Sequence, residues 1–152
     1  MKQGKLIRRA VSAVLAGCMM FTLLPVVAFA ALGTFTIGSN SYETETDIPE
    51  QKLGGGTINY DAGTHTLTLN GVNIEDYSHD WVIDFNDMDT LLNLVLVGKN
   101  ILKGYGGISA PKLKISGNGS LQITATDFEG IAGAGQSEEN LTIGSDVDIT
   151  AM

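Results

Sequence analysis

The chain has a single cysteine, Cys18, so no disulfide can form within it. Its only arginines are Arg8 and Arg9. Past residue 30, five lysines face seventeen carboxylates, a formal charge of −12 on residues 31–152. Phosphate backbones and anionic lipid surfaces are bound mainly through Lys and Arg, so nucleic acid is not expected as a partner. Divalent cations are. No window of ten or more residues after residue 30 has the three-and-four apolar spacing of an amphipathic helix. What is abundant instead is glycine, 19 in the chain, mixed with Thr, Ser, Asn and Asp. That mixture supplies frequent turns between short strands.

The first thirty residues read as a signal peptide. Lys2, Lys5, Arg8 and Arg9 make a basic start, an apolar run extends from Ala10 to Val27, and Ala28-Phe29-Ala30 has the small-x-small form of a cleavage site. Two alternatives bear on the same run. A membrane anchor needs about 20 apolar residues, and Pro25 near the end of the run argues against one. Leu15-Ala16-Gly17-Cys18 has the pattern of a lipoprotein signal, but Met19, Met20, Phe21, Leu23 and Leu24 keep apolar the stretch that is normally a polar tether. The expected location is therefore secreted or at the cell surface, with no membrane contact in the mature form unless Cys18 is lipidated.

Residues 31–65 read as N-terminal lead-in strands or a cap, with a short strand at Thr34–Gly38 and an irregular acidic stretch at Glu43–Glu50. Thr57–Tyr60 and His65–Leu69 flank Asp61-Ala62-Gly63-Thr64, a turn that makes either a hairpin or a tight corner. From residue 66 to 152 the sequence repeats itself. Leu67-Thr68-Leu69-Asn70-Gly71 returns as Leu94-Val95-Leu96-Val97-Gly98, as Leu113-Lys114-Ile115-Ser116-Gly117 and as Leu141-Thr142-Ile143-Gly144. Trp81, Tyr105 and Phe128 precede three of these phrases, 24 and 23 residues apart. A three-residue alternating strand cannot bury its apolar side alone. Stacked coils about 4.8 Å apart can cover one another. The expected fold is all-β: a right-handed parallel β-helix (β-solenoid) of three to four coils, each of 23–25 residues with three strands. Leu69, Leu96, Ile115 and Ile143 would line one interior column. An antiparallel β-sandwich is the rival. The final Val147–Met152 stretch falls inside a repeat, so a fragment of a longer array is expected.

The run Tyr60-Asp61-Ala62-Gly63-Thr64-His65-Thr66-Leu67-Thr68-Leu69-Asn70, with Gly98-Lys99-Asn100-Ile101 and Leu113–Leu121, resembles a family of exported proteins of Gram-positive gut and soil bacteria. Its members carry such a lead-in before β-helix repeats and are labelled carbohydrate-binding or cell-surface proteins. The resemblance covers residues 32–152 and implies an extracellular binding module. It supplies no catalytic residues.

The residues suit binding better than catalysis. β-Helix lyases commonly use an arginine or lysine base, and residues 31–152 contain no arginine. Hydrolysis needs paired carboxylates about a scissile bond, and no adjacent Asp pair is present. Trp81, Tyr105 and Phe128 are candidate sugar-stacking rings, with Asp80, Asp127 and Glu129 beside them to bond hydroxyls. The competing reading packs these rings inward or over a corner of the core. Asp84, Asn86, Asp87 and Asp89 concentrate oxygen ligands suited to Ca2+, or form a solvated acidic loop. Asn73 and Asn100, each two residues after a glycine, read as equivalent structural corners. The first expectation is a non-catalytic module that binds polysaccharide or cell-wall glycan, with Ca2+ as the only cofactor. A structural surface array is second. A lyase-like fragment using Lys99, Lys103, Lys112 or Lys114 is third.

Overall fold

Alternating apolar and polar residues, interrupted by Gly, Asn and Asp, produce strands joined by turns. A computed structural model describes residues 33–133 and 141–152. The signal-peptide reading of residues 1–30, with Cys18, lies outside the described residues. The strands are β1 (Thr34–Ile37), β2 (Asn40–Glu43), β3 (Ile48–Leu53), β4 (Gly56–Asp61), β5 (Thr66–Asn70), β6 (Asn73–Phe85), β7 (Leu92–Val97), β8 (Lys99–Ser109), β9 (Leu113–Gly117), β10 (Ser120–Ala125), β11 (Ile131–Ala132), β12 (Leu141–Ile143) and β13 (Asp148–Ala151). No helix occurs among the described residues. The acidic stretch expected to be irregular holds β2 at one end and β3 at the other.

The protein is all-β with two mixed sheets. One has the order β13-β10-β8-β6-β1-β2, with β11 also on β8, and the other β12-β9-β7-β5-β4-β3. β1 to β4 pair antiparallel, and β4–β5 is a hairpin. From β5 onward the chain passes between the sheets, and neighbours within each sheet run parallel: β5, β7, β9 and β12 in one, β6, β8, β10 and β13 in the other. An antiparallel sandwich does not describe this part.

Register decides which side chains stack. Leu67, Leu94, Ile115 and Ile143 form one row across four strands, and Leu69, Leu96 and Gly117 form the next. Leu69 and Leu96 therefore stand one row away from Ile115 and Ile143, against the single column expected. The reason is unequal repeat length. Thr66 opposes Asn93, an offset of 27 residues, whereas Leu92 opposes Leu113, an offset of 21. In the facing sheet Ile74, Leu102, Ile123 and Ala151 make a matching row. Leu67, Leu69, Leu94, Leu96, Leu102, Ile115 and Ile123 are fully enclosed. A uniform repeat of 23–25 residues is thus replaced by longer and shorter turns between strands of constant pattern.

One polar side chain breaks the apolar rows. Asn100 is fully buried and stands in register with Leu121. Its Oδ1 accepts the Val72 N–H at 3.1 Å, and its Nδ2 donates to the carbonyls of Val97 and Ser120, each at 3.2 Å. The amide thereby ties its own corner to the chain before and after it. Asn73, expected to be its equivalent, is exposed and stands opposite Ile101.

At the N-terminal end, Tyr60 packs against Phe35 and seals the apolar interior. Its hydroxyl donates to the Thr44 carbonyl at 3.1 Å and meets His65 Nδ1 at 2.9 Å. With that proton given to Thr44, the imidazole contact takes Nδ1–H as donor. Burial, with Glu45, Asp87, Asp61 and Asp47 adding negative charge, pushes the phenol up to about 12. Tyr60→Phe removes these bonds and keeps the ring. The expected result is a loss of about 1 kcal/mol, read as a lower urea midpoint with an unchanged slope.

Candidate functional site

The middle of β6 departs from its ladder. Asp76 opposes Gly104 and Trp81 opposes Gly106, so four residues, Tyr77, Ser78, His79 and Asp80, stand across from Tyr105 alone. The surplus residues leave the ladder as a bulge, which re-aims side chains, and all four are exposed. Asp76 folds it. This buried carboxylate accepts the Ser78 N–H at 2.8 Å, the Ser78 hydroxyl, and a bond from His79 Nδ1 at 2.8 Å. Burial by itself would raise the Asp76 pKa. The Ser78 bonds and His79 outweigh it and hold the carboxyl below its ordinary value of 3.8.

A depressed carboxylate pKa stabilises the fold above its unfolded value, and the contribution fades as pH falls through the folded value. Stability is therefore expected to decline with acid from about pH 3.8 downward as Asp76 takes a proton. In Asp76→Asn that part of the acid limb disappears. Thermal melts of both proteins across the acid range check this.

The bulge sets two aromatic rings of β6 against a ring of β8 and one from the turn after β10. Tyr77 meets Tyr105 edge-on, centroids 5.6 Å apart and planes at 78°. Trp81 stacks on Phe128 at 5.5 Å with planes at 30°. Gly106 is the reason the second pair can form. A Cβ there would lie 2.5 Å from indole Cε3, so only glycine leaves room for the ring. The turn bearing Phe128 is fixed by the Tyr105 carbonyl, which accepts the Asp127 and Phe128 N–H groups at 3.0 and 2.8 Å. Tyr77, Tyr105 and Phe128 keep 42%, 38% and 47% of their surface exposed. Tyr105 and Phe128 therefore do not point into the core.

A cleft of about 310 Å3 opens beside Trp81, lined by Thr36, His79, Asp80, Trp81, Asp84, Asn86 and Ser109. Thr36, Asp84 and Ser109 form one row across β1, β6 and β8. Asp84 Oδ2 accepts from Asn86 Nδ2 at 2.9 Å, while Oδ1 is enclosed with no donor among the described residues. Among the described residues no lysine or arginine lines the cleft.

The expected residues are thus partly united. Trp81 and Phe128 touch, whereas Tyr105 pairs with Tyr77 instead of joining a single three-ring ladder. Asp80 is on the cleft wall, and Asp127 and Glu129 flank Phe128 in the exposed turn. The four proposed calcium ligands separate. Asp84 and Asn86 line the cleft, while Asp87 is spent on its own loop, accepting the Asp89 N–H at 3.0 Å and the Thr90 hydroxyl at 2.6 Å. The Thr90 hydroxyl is the main reason the Asp87 pKa is lowered. Among the described residues no three His, Cys, Asp or Glu side chains converge as a metal site. None of the four lysines considered for lyase chemistry lines the cleft; Lys112 Nζ donates to the Asp89 carbonyl at 3.2 Å.

Tyr77 was missed, as was the cleft. The available signal was Asp76-x-Ser78, a turn-forming spacing, which marks 77–80 as an excursion. Compared with protein-family models, characterised proteins and solved structures, the chain matches none.

Proposed function

We propose that residues 31–152 form an exported, non-catalytic module of right-handed parallel β-solenoid type that binds polysaccharide on its aromatic face. The observation that carries this reading is the pairing of Tyr77 with Tyr105 and of Trp81 with Phe128 on an exposed surface beside an open cleft. Exposed aromatic patches of this kind mark interaction sites. Pyranose rings present C–H faces to such platforms and hydroxyls to neighbouring carboxylates, here Asp80, Asp127 and Glu129. The parallel succession of β5, β7, β9 and β12 supports a solenoid frame of stacked coils. The resemblance of the Tyr60–Asn70 run to exported carbohydrate-binding repeats supports a site outside the cell. Of the four expected calcium ligands, Asp84 and Asn86 are the two on the cleft wall, and calcium-dependent retention is the result that would assign them to a cation.

A glycan array probed with and without calcium tests the reading. Retention on a restricted set of polysaccharides is expected. Uniform failure to bind would return the protein to a structural display role.

A further inference from the structure

We infer that Asp76 is the positioning residue of the aromatic face: its carboxylate sets the Tyr77 ring against Tyr105, and a proton placed on it frees that ring and loosens bound glycan while the interior stays folded. This rests on the glycan-binding reading and adds to it a regulation by acid. Tyr77 stands between the carboxylate and its donors. Asp76 Oδ1 accepts the Ser78 N–H at 2.8 Å and the Ser78 hydroxyl, so the turn that carries Tyr77 closes on one oxygen. Oδ2 takes the bond from His79 Nδ1 at 2.8 Å and ties down the following residue. On the β8 side a Cβ at Gly104 would lie 2.5 Å from the Asp76 carbonyl oxygen, so the start of the bulge is seated directly on backbone. Tyr77 itself is exposed and meets Tyr105. Trp81 is held by other means: it is back in the ladder opposite Gly106, and its ring stacks on Phe128. Losing the Asp76 bonds therefore frees Tyr77 and leaves the second ring pair in place.

A carboxylate serves this turn and a carboxylic acid does not. With a proton on Oδ2, that oxygen presents an O–H to the Nδ1–H of His79, and two donors face each other. The Ser78 bonds to Oδ1 weaken from charge-assisted to neutral. The same bonds hold the carboxyl below 3.8 against its burial. The ordered turn is therefore complete above that pH and fades as pH falls through the lowered value. The other ionisable groups nearby are Glu75 and Asp80 on β6, Lys103 and Tyr105 on β8, and Asp127 in the turn that the Tyr105 carbonyl holds. Among the described residues only Ser78 and His79 bond the Asp76 carboxylate. A ring already fixed favours sugar binding over a mobile one, because binding must otherwise immobilise it.

Two measurements on the full chain, taken from neutral pH down through the carboxylate range, test this. The first is nuclear Overhauser contact between rings, with no sugar present. Tyr77–Tyr105 contacts should fade in acid while Trp81–Phe128 contacts persist. The second is retention on affinity gels cast with hydroxyethyl cellulose or glucomannan, neutral polysaccharides with no titrating group of their own. Affinity should fall about threefold or more over the same interval. In Asp76→Asn the amide holds His79 only by donating to a neutral imidazole, so both losses should move to higher pH. Ser78→Ala, at an exposed position, removes a donor that keeps the carboxyl ionised and should also move them upward. Protonation of the exposed Asp80, Asp127 and Glu129 is common to all three proteins and would give one unchanged profile. Identical profiles in the three proteins, or Tyr77–Tyr105 contacts that survive acid as long as the Trp81–Phe128 contacts do, would overturn the assignment and leave glycan binding standing. No retention on either gel at neutral pH would count against the glycan reading and remove the release step, a failure distinct from an unchanged ring profile.

Discussion

Asn100→Leu is expected to cost the fold about 1–3 kcal/mol, although leucine has the same branched outline and would suit its apolar neighbour Leu121. The amide is enclosed; it accepts the Val72 N–H and donates to the carbonyls of Ser120 and Val97, the latter also accepting the Gly71 N–H at 3.1 Å. Each buried group left without a partner costs about 1–3 kcal/mol. Leucine opens no cavity, so the loss reports the hydrogen bonds together with the crowding of its bulkier methyl groups. Asn73→Leu is the control. Asn73 is exposed, and the change should stay within about 0.5 kcal/mol. Urea unfolding of the two variants separates them. Similar losses in both would show that the corner is not held by the Asn100 amide.

Trp81→Ala is expected to weaken glycan binding by about tenfold or more while leaving the core assembled. Trp81 supplies one ring of the stacked pair and one wall of the cleft, so its removal strips both contacts at once. Aromatic stacking contributes about 0.5–1.5 kcal/mol beyond the area it buries, and the sugar loses that area too. The core next to it is built by Val82, Ile83 and Phe85, all enclosed, while Trp81 itself is only partly buried. Tyr105→Ala should have a smaller effect, because Tyr105 pairs with Tyr77 and does not line the cleft. Affinity gels cast with the polysaccharide, run beside thermal melts, check both halves. Loss of folding together with loss of binding would mean that the ring is a structural element.

The all-β character was legible because Leu67-Thr68-Leu69 and its three echoes alternate with period two, which no helix tolerates. The cross-strand partners were less so. A strand of this pattern looks the same shifted by two residues, so Leu96 could face Ile115 or Gly117, and only turn lengths decide; the register chose Gly117. Turn lengths respond to tertiary context, which also explains why the spacing of Trp81, Tyr105 and Phe128 suggested one ladder when the rings form two pairs. Trp81 opposes Gly106 because three surplus residues before it are expelled as a bulge. The separate fates of Asn73 and Asn100 have the same origin, since Val72 stands where Asn100 reaches. The cleft was not legible at all: Thr36, Asp84 and Ser109 are far apart in sequence and meet only through pairing across β1, β6 and β8.

Trp81 is the only tryptophan in the chain, so its emission reports from the candidate site alone. Titrating the protein with the polysaccharide that retains it should shift that emission saturably, with a midpoint equal to the binding constant measured independently. Retention on the polysaccharide with no change in tryptophan emission at saturation would place the sugar elsewhere and contradict the site described above.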